Sequence, residues 1–332
     1  MPKDKTPKEL LQALDLIRGD GGARPESLSA LSPLEATHIK RMRSVFEDPN
    51  IVAVGIAQKV TEKKNTGELS LCFYVEKKRA KAKLKAGRMI PPVMSVAERA
   101  AVFTDVQQIG KLRLEANRRA APLQSGFSVG RSPETGTLGA IVQKGKKYFI
   151  LSNSHVLADC GKAKLGDKII YPGDVDRAGA KAQSVALLSD FIAFDKTQDF
   201  VNHVDAALAE IDDEFLDKLD FSILRAKTPL ATAEPTRGMT IVKRGRTSGD
   251  TEGTVKDIHF SALIPYPGLG KIGFIDQVFC TQYSKPGDSG SIIVDKATGK
   301  IVGLHFAGSD AGSIFSSVGE VVKALGFRFA AK

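Results

Sequence analysis

Tryptophan is absent from the 332 residues, and cysteine occurs only three times, at Cys72, Cys160 and Cys280. An odd and sparse set of thiols argues against a disulfide framework and for a reducing compartment, so a cytoplasmic location is expected. There is no CxxC pair and no His/Cys cluster at zinc spacing. Neither a metal nor any other cofactor is therefore expected. No run of about 18 apolar residues occurs, which gives no candidate for a membrane-spanning helix. The first twenty residues are charged and lack an apolar centre, so they do not read as a secretory signal. What remains is an ordinary globular composition, 42% hydrophobic and 26% charged, with ample material for a core.

The net charge of +10 is unevenly placed. Residues 1–120 hold 23 Lys or Arg against 14 Asp or Glu, so nine of the ten excess charges sit there. Lys77, Lys78, Arg79, Lys81, Lys83, Lys85 and Arg88 form the densest run. Such a run can attract nucleic acid or an acidic partner, or it can be a solvated loop. No zinc-finger, RRM-like or P-loop signature accompanies it, so nucleic acid is not the expected partner.

The chain reads as three stretches. Residues 1–35 are a polar segment with a short helix around Lys8–Ile17. Residues 36–115 form a small α+β unit. It opens with an amphipathic helix over 36–48 (Ile39, Met42 and Phe46 at helical spacing). Strands over Ile51–Val60 and Glu68–Val75 follow, joined by a hairpin-like KKNTG turn, and then a strand over Ala101–Gln107. After a linker at 114–126, residues 122–330 change texture to many short β-type runs separated by Gly, Asp and Asn turns. This pattern predicts a barrel or sandwich. Examples are Leu138–Gln143, Tyr148–Ser152, Lys168–Tyr171, Ala206–Ile211, Thr240–Val242, Gly253–Val255, Phe274–Phe279, Ser291–Val294 and Ile301–Phe306. A closing helix is expected over Val318–Leu325.

Three short motifs carry chemistry: ILSNSHVL with His155, HVDAALAEI with Asp205, and KPGDSGSIIV with Ser289. Each alone is weak or moderate evidence; their order, and separations of 50 and 84 residues, make them strong together. With these residues the chain resembles the chymotrypsin-like (trypsin-like) serine proteases, in an intracellular bacterial-type form. GRTSGDTEGTV (245–255) and IVGLHFAG (301–308) are similar to the strand–loop–strand that opens the second barrel and to the strand that lines the primary pocket. The resemblance covers about residues 122–328. It implies a mostly β fold of two six-stranded barrels, with His and Asp on the first and Ser on the second.

The chemistry asks for these residue types. A serine hydroxyl is a poor nucleophile until an imidazole takes its proton, the role of His155, which later returns it to the leaving amine. A buried carboxylate fixes the imidazole tautomer and supports its transient charge. Asp205 suits this better than Asp190, Asp195, Asp199 or Asp212 because an apolar run follows it. The backbone amides of Gly287 and Ser289 are the expected oxyanion donors. Asp288 is implied to pair internally and hold the loop. Cys160 lacks the partner cysteine seen before the histidine in secreted relatives and is expected to be a free buried thiol; Cys280 is expected in the core.

By the same resemblance, Tyr283, His305 and Gly308 line the substrate pocket. Tyr283 stands where a trypsin-type pocket carries Asp, so a Lys or Arg preference is not supported. His305 points to an acidic, amide or medium-sized polar side chain in the substrate, unless its ring faces the barrel core. No Arg precedes an IVGG-like start, so Asp288 needs a partner other than a newly cut N-terminus. The leading expectation is a serine endopeptidase acting on protein or peptide through an acyl-enzyme, with residues 1–115 gating the site or recruiting a regulatory partner. The alternatives are a catalytically silent protease-like binding module, or nucleic-acid binding by the basic N-terminal unit.

Overall fold

The structure is a computed structural model that describes residues 6–18, 40, 44, 48–61, 64–80, 84, 89–96, 100–112, 122–177, 182–226 and 230–330. The helix expected over 36–48, most of the basic run and most of the 114–126 linker lie outside the described residues. Among those described, no helix is long and apolar enough to cross a membrane. The chain divides into two compact units. The first comprises Met1–Leu112, Lys196–Val201 and Lys256–Gln277; the second comprises Arg113–Asp195, Asn202–Val255 and Val278–Lys332. The first unit thus draws on more than the single stretch 36–115.

In the first unit, helix α1 (Lys8–Arg18) packs on strands β1 (Ile51–Thr61), β2 (Lys64–Val75), β3 (Val93–Val96) and β4 (Ala100–Gln108). Leu10, Leu14 and Ile17 recur at helical spacing and are buried against Ile56, Leu71, Phe73 and Val102. Each such side chain contributes about 1.5–3 kcal/mol by leaving water. KKNTG is not the hairpin turn. Val60 pairs with Asn65 and Thr61 with Lys64, so β2 already begins inside it. Gly67, with φ of 82°, lets the strand bulge where a turn was expected.

The sheet continues into strands from far along the chain. Strand β15 (Gly249–Tyr266) pairs with β1 through Ala53–Ala262 and Val54–Ser261. Asp257 is buried there and accepts from the Tyr74 hydroxyl at 3.1 Å and from the His259 amide at 2.8 Å. Gly55 makes room for it: a Cβ at that position would lie 2.0 Å from the Asp257 carboxylate.

The second unit is almost all β. Its short strands are β5 (Leu123–Gln124), β6 (Ser128–Val129) and β7 (Gly136–Thr137). Strands β8 (Ala140–Lys144), β9 (Lys147–Ser152), β10 (Lys168–Tyr171), β11 (Gln183–Phe191) and β12 (Ala207–Ile211) join β20 (Arg328–Phe329) in one six-stranded sheet, ordered β10-β11-β12-β9-β8-β20. Strand β13 (Leu219–Asp220) pairs with β5. The second set comprises β14 (Thr240–Gly245), β17 (Ile292–Asp295), β18 (Ile301–Ser309) and β19 (Gly312–Ser317), with residues 249–255 of β15 and 278–280 of β16 (Gly270–Cys280), the rest of those two strands belonging to the first unit. It runs β15-β14-β17-β18-β19-β16, and β16 neighbours β15 again, a cyclic order of six. Two helices complete the unit, α2 (Ser154–Leu157) and α3 (Val318–Leu325). Ser317 caps α3 by accepting from the Gly319 amide, and Gly326 ends it in the left-handed conformation. The mostly β character agrees with the expected fold.

Candidate active site

Strand register alone brings two of the expected residues together. Strands β9 and β12 are antiparallel neighbours, with Ser152 opposite Ala207. The residues just after β9 therefore face those just before β12. Asn153 starts the one-turn helix α2, and His155 sits within it. His155 Nδ1 lies 2.5 Å from Asp205 Oδ2, and the His155 amide donates to Oδ1 at 3.2 Å. Asp205 is 1% exposed and His155 7%. A buried carboxylate in this place is suited to accept from Nδ1–H, the arrangement that leaves the lone pair on Nε2. The competing carboxylates are elsewhere. Asp190 is an exposed partner of Lys144, and Asp212 sits among Glu210, Asp213 and Glu214, with burial and those charges raising its pKa.

Ser289 lies in the turn between β16 and β17 and is 1% exposed. Its hydroxyl donates to the Phe306 carbonyl at 3.2 Å, and its carbonyl accepts from the Thr137 amide at 2.8 Å. Gly287 and Gly290 flank it with φ of 106° and 95°, values that ordinary side chains avoid.

Asp288 is wholly buried. Lys243 Nζ donates to its Oδ2 at 2.7 Å, with both side chains fully inaccessible. The Lys285 amide donates to Oδ2 at 3.0 Å, and the Thr247 and Ser248 amides donate to Oδ1 at 2.9 and 3.1 Å. The Ser248 hydroxyl donates to Oδ2 as well. The internal partner expected for Asp288 is thus a lysine from the middle of β14. The sequence offered one faint signal of it: period-two alternation puts Lys243 on the same strand face as the buried Ile241. Asn153 was also missed. Its Nδ2 donates to the Asp205 carbonyl at 2.6 Å and ties the two strand ends together.

Tyr283 and His305 are brought into contact. The Tyr283 hydroxyl is 3.1 Å from His305 Nδ1, and the rings meet edge-on at 5.3 Å. Neither reaches solvent appreciably, at 4% and 0%. Burial pushes the His305 pKa down to about 3, against the opposing pull of Asp288, so the ring is neutral at physiological pH. Gly308 lies in β18 opposite Ser313. Cys160 and Cys280 are both buried free thiols, and burial raises the Cys160 pKa to about 12.

The family model described as the trypsin-like peptidase domain matches residues 134–304, just over half the chain and inclusive of all three motifs. The chain belongs to the trypsin-like peptidase family. As a trypsin-like peptidase it is a serine peptidase. Among solved structures it is similar to a glutamic acid-specific serine protease described as using a histidine triad in substrate binding. That match has 18% identity and a TM-score of 0.46, and covers 62% of this chain and all of the other. It is also similar to protease A of Thermobifida fusca, with 11% identity, a TM-score of 0.46, and coverage of 63% and 99%. A third likeness is the active form of the M. tuberculosis protease Rv3671c, with 16% identity, a TM-score of 0.39, and coverage of 65% and 91%. No curated protein matches the chain.

Proposed function

We propose that the protein is an endopeptidase that cleaves through a Ser289–His155–Asp205 triad and an acyl-enzyme. The observation that carries the reading is the buried Asp205–His155 pair at 2.5 Å, in a chain whose GDSG turn supplies a buried serine hydroxyl. His155 Nε2 takes the Ser289 proton as Oγ attacks the scissile carbonyl. The tetrahedral oxyanion is received by the Gly287 and Ser289 amides, in the conformation that the glycines permit. His155 then protonates the leaving amine, the acyl-enzyme forms, and water reverses the sequence. Asp205 keeps the imidazole in its working tautomer throughout.

The pocket residues support a preference for an uncharged P1 side chain. Tyr283 offers no negative charge to a Lys or Arg. His305 is neutral because burial disfavours its cation, so it brings no positive charge to a Glu or Asp. A polar amide or medium-sized neutral side chain fits both facts. One experiment tests these statements: peptide-library cleavage by wild type and Ser289→Ala, alongside labelling with a fluorophosphonate probe. We expect labelling and cleavage in the wild type only, with neutral P1 residues favoured. Wild-type protein that neither labels nor cleaves is a silent binding module. Strict Lys, Arg or Glu at P1 would overturn the pocket reading while leaving the triad intact.

A further inference from the structure

We infer that Thr137 is a positioning residue of the oxyanion site: its hydroxyl clamps the Gly287 peptide of the nucleophile turn to the strand that leads into His155. The inference rests on the triad reading above and deepens it.

The clamp begins with a weakness of glycine. Gly287 can adopt a φ of 106° because it has no Cβ, but the same freedom means that nothing intrinsic holds it there. A donor aimed at a developing oxyanion has to be held before the charge appears. The restraint must then come from outside the turn: the Thr247 hydroxyl donates to the Pro286 carbonyl, and Thr137 holds the next carbonyl along, that of Gly287. Thr137 is fully buried on β7. Its Oγ1 donates to the Gly287 carbonyl at 3.0 Å and accepts from the Arg246 amide at 3.1 Å. One hydroxyl therefore fills its donor and acceptor roles on two different loops. The Thr137 amide donates to the Ser289 carbonyl at 2.8 Å, which grips the turn a second time, two residues on.

The other end of the clamp is equally fixed. The Thr137 carbonyl accepts from Ser152 Oγ at 2.7 Å, and Asn153, the next residue, donates to the Asp205 carbonyl. An unbroken run of hydrogen bonds and peptide links thus joins the oxyanion glycine to the backbone of the acid. Contact along it is close. A Cβ on Gly290 would lie 2.2 Å from the Thr137 carbonyl oxygen and 2.3 Å from Ser152 Oγ. The hydrogen bonds of Thr137 go to the backbone of Gly287, Ser289 and Arg246 and to the Ser152 hydroxyl, so it acts through the turn and not on the reacting atoms.

Valine has threonine's shape without the hydroxyl, and serine keeps the hydroxyl without the methyl. The test compares Thr137→Val and Thr137→Ser in the full chain. Its readouts are kcat and KM on a peptide ester and the affinity of a peptide aldehyde, which forms a tetrahedral adduct and needs the oxyanion donors. For Thr137→Val we expect kcat to fall about 10- to 100-fold, the scale of a roughly 1 Å misplacement. KM should stay within about twofold, and aldehyde affinity should fall in step with kcat. Thr137→Ser should restore all three to within about threefold. Equal losses in both variants would overturn the clamp in favour of methyl packing. So would a Thr137→Val enzyme with unchanged aldehyde affinity. If Thr137→Val does not fold, Ser152→Ala loosens the same strand from its other side. That variant should show a smaller loss with the same parallel between kcat and aldehyde affinity; separate movement of the two would count against the clamp. Absence of Ser289-dependent fluorophosphonate labelling in the wild type would instead overturn the triad reading, and the clamp with it.

Discussion

Replacing Lys243 with methionine should both destabilise the second unit and disorder the turn that carries Ser289. The substitution keeps most of the side-chain volume and removes the cation 2.7 Å from Asp288. A pair of unit charges about 4 Å apart interacts by about 4 kcal/mol at an effective dielectric of 20. Breaking a buried pair from one side typically costs about 3–5 kcal/mol, because the remaining charge stays buried. Here three backbone amides and the Ser248 hydroxyl still face the carboxylate. The loss should therefore lie at the lower end, about 3 kcal/mol. With urea slopes of about 1–3 kcal/mol per molar, the midpoint should fall by about 1 M or more. The assay is urea unfolding followed by far-UV circular dichroism, since the chain has no tryptophan, in parallel with fluorophosphonate labelling as a probe local to the turn. Asp288→Asn alone should cost a similar amount by stranding the ammonium. The double variant should cost well under the sum, because it leaves no charge unpaired. A midpoint shift below about 0.3 M for Lys243→Met, or strict additivity in the double variant, would refute the reasoning.

Gly290→Ala should cost about 2–4 kcal/mol and lower activity, because its Cβ would meet the Thr137 carbonyl at 2.2 Å and its φ of 95° is strained for alanine. Thermal melts and ester hydrolysis check both effects. His305 gives a pH prediction. Its folded pKa is about 3, below the value near 6.5 of an unfolded histidine, so between those values the unfolded chain binds the extra proton. Stability should fall as pH drops below about 6.5, with about 3 kcal/mol lost by pH 4. A His305→Gln variant should show a flatter acid limb in urea midpoints measured from pH 4 to 7. An acid limb unchanged by the substitution would show that the ring is not held neutral.

How much was legible depended on whether the information was local. His155, Asp205 and Ser289 stand in short motifs where turn residues abut β-formers, so their chemistry can be read off neighbours. Strand β10 and helix α3 match their expected limits for the same reason. Strand β11 has no clean alternation in QSVALLSDF and was not anticipated. The length of β15 was hidden because Lys256, Asp257 and His259 look like a turn; the Tyr74 hydroxyl, 183 residues away, helps to hold the buried aspartate inside the strand. Lys243, beyond its alternation with Ile241, and Thr137 were hidden for a related reason. Their partners lie 45 and 150 residues off, and a buried lysine or threonine has no local signature.

The distant strand that completes the first unit has a consequence for how this chain can be taken apart. The unit is not a bead threaded before the peptidase, because residues 256–277 belong to it while lying between Lys243, Thr247 and Ser248, which hold Asp288, and the turn that carries Asp288 and Ser289. A single cut between residues 112 and 122 would leave one fragment lacking the neighbour of β1 and the other with Ser261 and Ala262 parted from their strand partners Val54 and Ala53. Gene fusion or domain exchange at that point would transfer an incomplete sheet. A workable division has to respect four further crossings, near 195, 201, 255 and 278, within what looks from the sequence like the peptidase alone.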